Sequence, residues 1–286
     1  MAPSAVDAVA QATDVAAAAP AQIEKAQFQT LAGKVALITG SGRGIGKGMA
    51  IELASRGASV VVVYAKSADA ADGVVKQIQS LGCKAIALQA DVSKPAEIFK
   101  LFDDAVAHFG YVINPLGNRE PASLKKVKRC WEIFGTLLLN LDLDRLTFPR
   151  KLDIVISNSG TEVWSKEEEV TPEDFDYIFN INCRGQFFVA QQGLKHLTRG
   201  GRIILMSSIA AQMAGVPNHA LYAGSKAAVE GFTRSFAVDC GEKGITVNAI
   251  APGGVKTDMF DANAWVCFSL LARVAIYCLL RVETDV

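Results

Sequence analysis

Two side chains with complementary chemistry, Tyr222 and Lys226, stand four positions apart in a run of helix-compatible residues. Residues four apart share one face of a helix, and a long side chain leans back toward the helix N-terminus. The Lys226 ammonium is therefore predicted to lie beneath Tyr222. A free tyrosine has a pKa of about 10, and a nearby cation favours the phenolate. The spacing indicates an acid–base pair, and the alternative is a surface tyrosine beside a solvated lysine.

A glycine-rich stretch near the start of the chain has the composition of a phosphate-binding turn. The apolar run Lys34–Thr39 predicts a buried parallel strand, and a helical pattern follows the glycines. Glycines in such a turn let backbone N–H groups approach a pyrophosphate at a helix N-terminus. The residues predicted to hold a dinucleotide here are Gly40, Arg43, Gly44, Ile45 and Gly46.

The end of the second predicted strand, Ser59–Val63, indicates which dinucleotide binds. A site for NAD usually has an acid here for the ribose 2′-hydroxyl. This chain has Tyr64, Lys66 and Ser67 instead, with Arg43 in the glycine stretch. Two bases without an acid favour the 2′-phosphate of NADP(H). The alternative is that Lys66 is a solvated loop charge.

The remaining sequence alternates between strand and helix patterns. Apolar runs predict strands at 84–90, 152–157, 202–206 and 246–250, and helices at 95–109, from about 171 to 199, and around Tyr222. This alternation predicts an α/β fold: a Rossmann-type, doubly wound parallel sheet in a single domain, with its ligand site at the carboxyl ends of the strands. Further cofactor candidates at those ends are Asp91, Val92, Asn158, Ser159, Gly160, Pro252, Gly253, Val255 and Thr257.

Composition excludes several other classes of protein. The 286 residues carry 29 basic and 29 acidic side chains, which argues against nucleic acid as a partner. The six cysteines lie far apart, as in a reduced cytoplasmic protein without a metal site. Residues 1–30 are rich in alanine and lack the basic residues of a targeting signal, so we expect a disordered tail.

Several motifs stand in a characteristic order along the chain. They are Thr39-Gly40-x-x-x-Gly44-Ile45-Gly46, Asn158-Ser159-Gly160, Asn182, Ser208, Tyr222-x-x-x-Lys226 and Pro252-Gly253-Gly254. Together they resemble the short-chain dehydrogenases/reductases. The segments 200–208, 216–222 and 255–259 are further similar to fungal hydroxynaphthalene reductases, and still more to versicolorin reductases. The similarity covers about 28–110 and 151–265.

The resemblance implies a role for each residue of the catalytic set. Tyr222 would protonate the substrate carbonyl oxygen while NADPH delivers a hydride to its carbon. Lys226 would lower the pKa of Tyr222 and bind the nicotinamide ribose, and both residues would contact the cofactor. Ser208, rather than its neighbour Ser207, would polarise the carbonyl. Asn182 would hold a water that connects Lys226 to solvent; without the resemblance, a buried amide that satisfies backbone groups is the simpler reading.

Two segments depart from the family pattern. Residues 111–150 interrupt the expected 31–260 reductase domain, because deleting them joins Gly110 to Lys151 as the family reads. Residues 261–286 replace the expected substrate loop, last strand and helix with an atypical, truncated hydrophobic tail. We interpret 111–150 and 266–286 as translated introns, since the codons available at Gly110–Val112 and Val266–Cys267 can encode 5′ splice sites.

These features lead to an expected function and to competing hypotheses. The expected function is NADPH-dependent reduction of a carbonyl on a polyhydroxylated aromatic polyketide, of naphthol or anthraquinone type, in fungal secondary metabolism. The alternative is an inactive, truncated or mis-spliced reductase relative that retains only the cofactor-binding fold. A membrane tether formed by the tail is disfavoured, because the apolar run is short and has Arg273 at its centre. The family homotetramer is not carried over, because its contacts use the C-terminal elements that the tail replaces.

Overall fold

Short apolar runs form the strands of a parallel sheet. The computed structural model describes residues 29–109, 111–113, 119–121, 152–212, 215 and 217–258. Within these ranges the sheet contains β1 Val35–Ile38, β2 Ser59–Tyr64, β3 Ala85–Gln89, β6 Leu152–Ser157, β7 Leu197–Met206 and β8 Thr246–Ile250. The strands β4 Tyr111–Ile113 and β5 Arg119–Pro121 pair with each other in a separate antiparallel ribbon.

Helices connect the strands of the sheet. They are α1 Gly44–Ser55, α2 Ala68–Ser80, α3 Pro95–Phe109, α4 Pro172–Phe179, a π-helix at Asn180–Gly185, α5 Gln186–His196 and α6 Ala220–Gly241, with 3₁₀ turns at Glu167–Glu169 and Ile209–Ala211. The start of α4 shows why a helix begins there: the Thr171 hydroxyl accepts a 3.1 Å hydrogen bond from the Asp174 N–H, and Pro172 occupies the first position.

Alternating side chains of each strand form two separate cores. In β1, Val35 and Leu37 belong to the core that α3, α5 and α6 complete. Ala36 and Ile38 point to the opposite face, where they pack against residues of α1 and α2. Successive side chains of a strand point to opposite faces of the sheet, and in β1 both sets are buried. An apolar strand without polar alternation is therefore what a sheet covered by helices on both faces requires.

The order of the strands creates the crevice for a ligand. The sheet runs β3-β2-β1-β6-β7-β8, and all of its neighbouring strands are parallel. The chain moves outward from β1 to β3, returns to β6 beside β1, and then moves outward in the other direction. Loops that follow β1 and β6 therefore diverge, and a crevice opens between them at the carboxyl ends. The predicted Rossmann-type fold is confirmed.

The helix predicted from about Thr171 to Arg199 is wrong in its continuity and in its end. A π-helix interrupts it at Asn180–Gly185, and β7 already begins at Leu197. A Cβ on Gly185 would lie 2.9 Å from the Val92 carbonyl oxygen, so this backbone sits directly against the loop after β3. Tertiary contacts of this kind, rather than local propensity, produce a π-turn.

Three predicted segments lie wholly or largely outside the described residues. The N-terminal tail 1–30 is described only at its last two positions, and the hydrophobic tail 261–286 not at all. Of the insertion 111–150, only the backbone of the β4–β5 ribbon is described. Within the described part of the chain, no helix has both the length and the apolar character that crossing a membrane requires.

Candidate active site

Thr39 and Asn158 join the two loops that border the crevice. The Thr39 hydroxyl oxygen accepts hydrogen bonds of 3.0 Å from the backbone N–H groups of both Asn158 and Ser159. The Asn158 amide in turn donates to the Thr39 and Gly40 carbonyls, each at 3.0 Å. Thr39 is fully buried. Asn158, which was predicted as a cofactor ligand, therefore holds the glycine loop against the end of β6.

The geometry of the glycine loop fits a dinucleotide phosphate. Gly40 and Gly44 have φ of 63° and 55°, in the left-handed region that favours glycine. A Cβ on Gly46 would lie 2.5 Å from the Asn158 Nδ2 and 2.9 Å from the Ser41 Cα, so only glycine fits there. Arg43, at the N-cap of α1, makes no side-chain hydrogen bond to the helix. The first-turn N–H groups thus lack a side-chain cap from this residue and suit an anion.

Arg43, at the start of α1, and Lys66, just after β2, follow neighbouring strands of the sheet. The Ser41 hydroxyl accepts a 3.0 Å hydrogen bond from the Val63 N–H, which ties the glycine loop to β2. Both Arg43 and Lys66 are exposed beyond the ends of these strands. The Arg43 guanidinium also lies 3.4 Å from the Asp258 carboxylate, a contact that the sequence did not suggest. Arg43 and Lys66 thus both present exposed cations after neighbouring strands of the sheet.

The residues after β3 have distinct local roles. The Asp91 carboxylate accepts hydrogen bonds from the Ser93 N–H at 3.0 Å and from the Ser93 hydroxyl at 2.7 Å. Val92 is buried, and it packs beneath the π-helix at Gly185. Asp91 is thus a partly exposed candidate for cofactor contact, whereas the Val92 side chain serves the core.

The loop after β8 returns over the crevice. The Ile209 N–H donates to the Pro252 carbonyl at 3.1 Å, which joins this loop to the turn after β7. The Thr257 Cγ2 lies 3.4 Å from the position that a Cβ on Gly44 would occupy. Pro252, Gly253 and Thr257 therefore lie beside the other predicted cofactor residues, and Val255 is exposed at the same rim.

Tyr222, Ser208 and Lys226 meet at the carboxyl end of β7. Tyr222 and Lys226 lie one turn apart on α6, and the lysine Nζ is 5.6 Å from the centre of the tyrosine ring. Ser208 follows β7 and forms a hydrogen bond with Tyr222 that favours its phenolate. Ser207 is committed elsewhere, because its hydroxyl donates to the Glu230 carboxylate at 3.0 Å. Ser208 is thus the serine beside the phenol.

The expectation that Lys226 lowers the pKa of Tyr222 is not met in this arrangement. Burial raises the pKa of Tyr222 to about 12, and the Ser208 hydrogen bond offsets only part of that effect. The Lys226 ammonium donates instead to the Met206 carbonyl at 2.9 Å, and burial lowers the pKa of Lys226 to about 8. Desolvation is the largest cause of both pKa shifts, and it favours the neutral form of each group.

Asn182 is fully buried in the π-helix, and protein groups bind its side chain. Its oxygen accepts from the Thr161 N–H at 2.9 Å. Its nitrogen donates to the Thr161 carbonyl at 2.9 Å and to the Ser225 hydroxyl at 3.0 Å. The amide therefore connects the loop after β6 to α6. A Cβ on Gly160 would lie 3.4 Å from both the Asn182 Oδ1 and the Lys226 Nζ, so the two atoms border one small space.

One functionally placed residue, Gln186, carries no signal in the sequence. Its amide donates to the Met206 carbonyl at 2.9 Å and accepts from the Met206 N–H at 2.8 Å. This clamp fixes the carbonyl that receives the Lys226 ammonium. A glutamine within a helical pattern usually lies at the surface, and only the fold shows that Gln186 is buried.

Comparisons with known proteins agree with this geometry. A family model described as short chain dehydrogenase matches residues 34–117, and one described as Enoyl-(Acyl carrier protein) reductase matches 146–267. The tetrahydroxynaphthalene reductase PfmaG of Pestalotiopsis fici is 57% identical over 84% of this chain and 72% of its own length. The hydroxynaphthalene reductase-like protein Arp2 of Metarhizium acridum is 57% identical over 83% and 74%.

A solved structure extends the comparison to three dimensions. A short-chain dehydrogenase from Burkholderia cenocepacia in complex with NADP superposes with a TM-score of 0.65 at 34% identity, covering 80% of this chain and 77% of that one. The resemblance that the motifs predicted is confirmed. The chain therefore belongs to the short-chain dehydrogenases, a family of oxidoreductases that use NAD(P).

Proposed function

We propose that this protein reduces a carbonyl group on a polyhydroxylated aromatic polyketide and that NADPH is its cofactor. The observation that carries the proposal is the convergence of Tyr222, Ser208 and Lys226, with the Lys226 ammonium beside Gly160 in the loop after β6. The names of the two relatives at 57% identity support a naphthol-type substrate. Anthraquinone-type substrates, a place in fungal secondary metabolism and a cytoplasmic location belong to the same proposal.

Different residues of the crevice are assigned to different groups of the cofactor. The N–H groups of the glycine loop, at Gly44, Ile45 and Gly46, suit the pyrophosphate. Arg43 and Lys66 provide positive charge for a 2′-phosphate. The similar short-chain dehydrogenase from Burkholderia cenocepacia was solved in complex with NADP, which supports this cofactor. The remaining predicted contacts are Gly40, Tyr64, Ser67, Asp91, Val92, Asn158, Ser159, Gly160, Pro252, Gly253, Val255 and Thr257.

Tyr222 is the proton donor in this proposal. When bound, NADPH supplies a hydride to the carbonyl carbon, so the carbonyl oxygen must receive a proton. The raised pKa of Tyr222 keeps its phenol protonated at neutral pH. Ser208 donates a second hydrogen bond to the same oxygen and stabilises the charge that develops there. The phenol and the hydroxyl together define where the carbonyl binds.

Lys226 and Asn182 support the phenol from below. Lys226 is 4% exposed, and its ammonium points into the space beside Gly160, where the nicotinamide ribose of the cofactor would bind. We assign Lys226 to the ribose hydroxyls and to proton resupply. Asn182, whose amide holds Thr161 and Ser225, keeps the π-helix and α6 in register. Its oxygen retains a second lone pair, which is available to a water.

A direct assay tests the proposal. The purified 286-residue chain is mixed with a hydroxylated bicyclic aromatic ketone and NADPH, and oxidation of NADPH is followed together with the alcohol product. We expect stoichiometric formation of alcohol, with NADH much less effective. Binding of NADPH without any turnover across a series of such ketones would support the alternative, an inactive relative that retains the cofactor fold.

A further inference from the structure

Two aromatic rings, those of Trp164 and His219, form a stack beside the ring of Tyr222, the candidate proton donor. The Trp164 indole lies 4.1 Å from the His219 imidazole, measured between ring centres, with an angle of 24° between the planes. The imidazole lies 4.6 Å from the Tyr222 ring at 40°. Trp164 belongs to the loop after β6, whereas His219 precedes α6. The stack therefore connects that loop to the phenol through one buried imidazole.

A carboxylate fixes one end of that imidazole. The Glu162 Oε1 lies 3.3 Å from the His219 Nε2, and their side chains are only 13% and 5% exposed. The His219 Nδ1 is buried and has no hydrogen-bond partner among the described residues. A neutral imidazole carries one proton, and the carboxylate requires a donor, so the proton belongs on Nε2. Burial lowers the pKa of His219 to about 4, although Glu167 opposes this, so the ring is neutral at physiological pH.

Buried polar atoms without partners are uncommon, and this cluster has two. The Trp164 Nε1 is the second, again among the described residues. Packing alone would be served equally well by apolar rings, without leaving two nitrogens unpaired. The arrangement therefore favours a function for the imidazole that an apolar ring could not perform.

We propose that Glu162 and His219 are positioning residues for Tyr222: the carboxylate orients the imidazole, and the imidazole, backed by Trp164, holds the phenol ring. The same carboxylate biases the phenol toward its protonated form. This inference rests on the proposed function in one respect, namely that Tyr222 acts as the proton donor. Glu162 and His219 themselves act through the tyrosine.

The charges around the phenol agree with this role. The groups that face Tyr222 are Glu162 and His219 on one side and Lys226 below, while Glu167 acts on His219 and Cys183 on Lys226. Burial is the largest cause of the raised pKa of Tyr222. The Ser208 hydrogen bond lowers that pKa, and the Glu162 charge raises it. A negative charge disfavours a second negative charge nearby, which is the phenolate.

The first measurement needs no turnover. Nitrogen chemical shifts are recorded for the three histidines of the parent chain, and the His219 signal is identified by its loss in His219→Gln. We expect His219 to remain neutral, with its proton on Nε2, from pH 8 down to about 5. A proton on Nδ1, or titration near the ordinary histidine pKa, would overturn the proposal. This result stands whether or not a ketone is reduced.

The second measurement separates charge from orientation. Glu162→Gln keeps an acceptor for His219 but removes the charge, so kcat should change little while the pH profile of turnover shifts to lower pH by about one. Glu162→Ala removes both, and kcat should fall about 10- to 100-fold with the NADPH affinity retained. The matched control is Glu168→Gln, an exposed acid nearby, which should match the parent. A Glu162→Gln profile equal to that of the parent would contradict the proposal. If Glu162→Ala does not fold, the histidine measurement and Glu162→Gln decide.

Discussion

Burial controls the ionisation of individual residues at this site. The pKa of Tyr222 is raised to about 12 and that of Lys226 is lowered to about 8, in each case mainly by desolvation. Each shift favours the neutral form of its group. At neutral pH the phenol is therefore protonated, as a proton donor must be, while Lys226 is still mostly charged. The site thus combines a protonated phenol with a lysine whose charged form is disfavoured by burial.

Arg43 and Lys66 carry the prediction for cofactor choice. Replacing both with glutamine should weaken NADPH binding by at least about 30-fold, because a hydrogen bond to a charged group contributes about 1.5–3 kcal/mol and both residues are exposed. Binding of NADH, which lacks the 2′-phosphate, should change little. Fluorescence titration of each cofactor measures this. Equal losses for the two cofactors would contradict the assignment.

The proximity of Tyr222, Ser208 and Lys226 could be predicted from sequence, but their ionisation could not. Tyr222, Ser208 and Lys226 come together as the motifs implied. The sign of the Tyr222 pKa shift was wrong, since spacing on a helix shows that two groups are near but not how deeply they are buried. The direction of the Lys226 ammonium depends on the Met206 carbonyl and on the Gln186 clamp, which are distant in sequence.

At the scale of elements, the junction between β1 and α1 is the tightest part of the site. Gly46→Ala places a Cβ 2.5 Å from the Asn158 Nδ2, so the hydrogen bonds of Asn158 to Thr39 and Gly40 must break or move. We expect NADPH affinity to fall at least tenfold and the protein to lose about 1–3 kcal/mol of unfolding free energy.

Gly48→Ala is the matched control for this junction. Gly48 lies on the same helix, and an added Cβ would meet no atom within 4 Å. Alanine has the higher helix propensity, so this variant should be more stable by about 0.5–1 kcal/mol with unchanged cofactor affinity. Cofactor titration and urea unfolding measure both variants. Similar behaviour of the two would show that the loop tolerates a side chain at Gly46.

The insertion allows a second test at this scale. The β4–β5 ribbon pairs only with itself within the described part of the chain, and the two family matches leave residues 118–145 between them. Deleting 111–150, which joins Gly110 to Lys151, should preserve NADPH affinity and change stability by less than about 1 kcal/mol, since loop closure depends weakly on length. Circular dichroism and cofactor titration follow this; an unfolded product would contradict our treatment of 111–150 as an insertion.

Elements were predictable where local pattern decides them. The strand Leu152–Ser157 and the helix Pro95–Phe109 have the predicted bounds, because a continuous apolar run and an amphipathic repeat are local signals. The π-helix at Asn180–Gly185 was not predicted. Its geometry depends on Asn182 bonding to Thr161 and Ser225, and on Gly185 lying against Val92, contacts that span distant parts of the chain.

At the scale of the whole molecule, the buried Lys226 reduces stability. Below pH 8 the lysine is charged in both the folded and unfolded states, and the folded protein bears the full cost of the buried charge. As the pH rises from about 8 to 10.5, the folded protein has fewer bound protons than the unfolded chain, so the cost decreases. The Met206 carbonyl keeps its hydrogen bond from Gln186 if Lys226 is replaced.

Lys226→Met is therefore expected to be more stable and inactive. The gain at pH 7 should be about 2–4 kcal/mol, from a pKa lowered from 10.5 to about 8, and it should shrink toward pH 10. Urea unfolding of both proteins across this range measures the difference. A variant that is less stable than the parent at pH 7 would show that the lysine stabilises the fold.

The central claim is that Tyr222 donates a proton to a carbonyl in a site that already binds NADPH. Tyr222→Phe keeps the ring that packs against His219 but removes the donor. In the 286-residue chain, with NADPH and a hydroxylated bicyclic ketone, this variant should lose at least about 100-fold in turnover, as expected for loss of a general acid. Its NADPH affinity should stay within about tenfold, because the hydroxyl contributes at most one neutral hydrogen bond of about 0.5–1.5 kcal/mol. Turnover within tenfold of the parent would contradict the account.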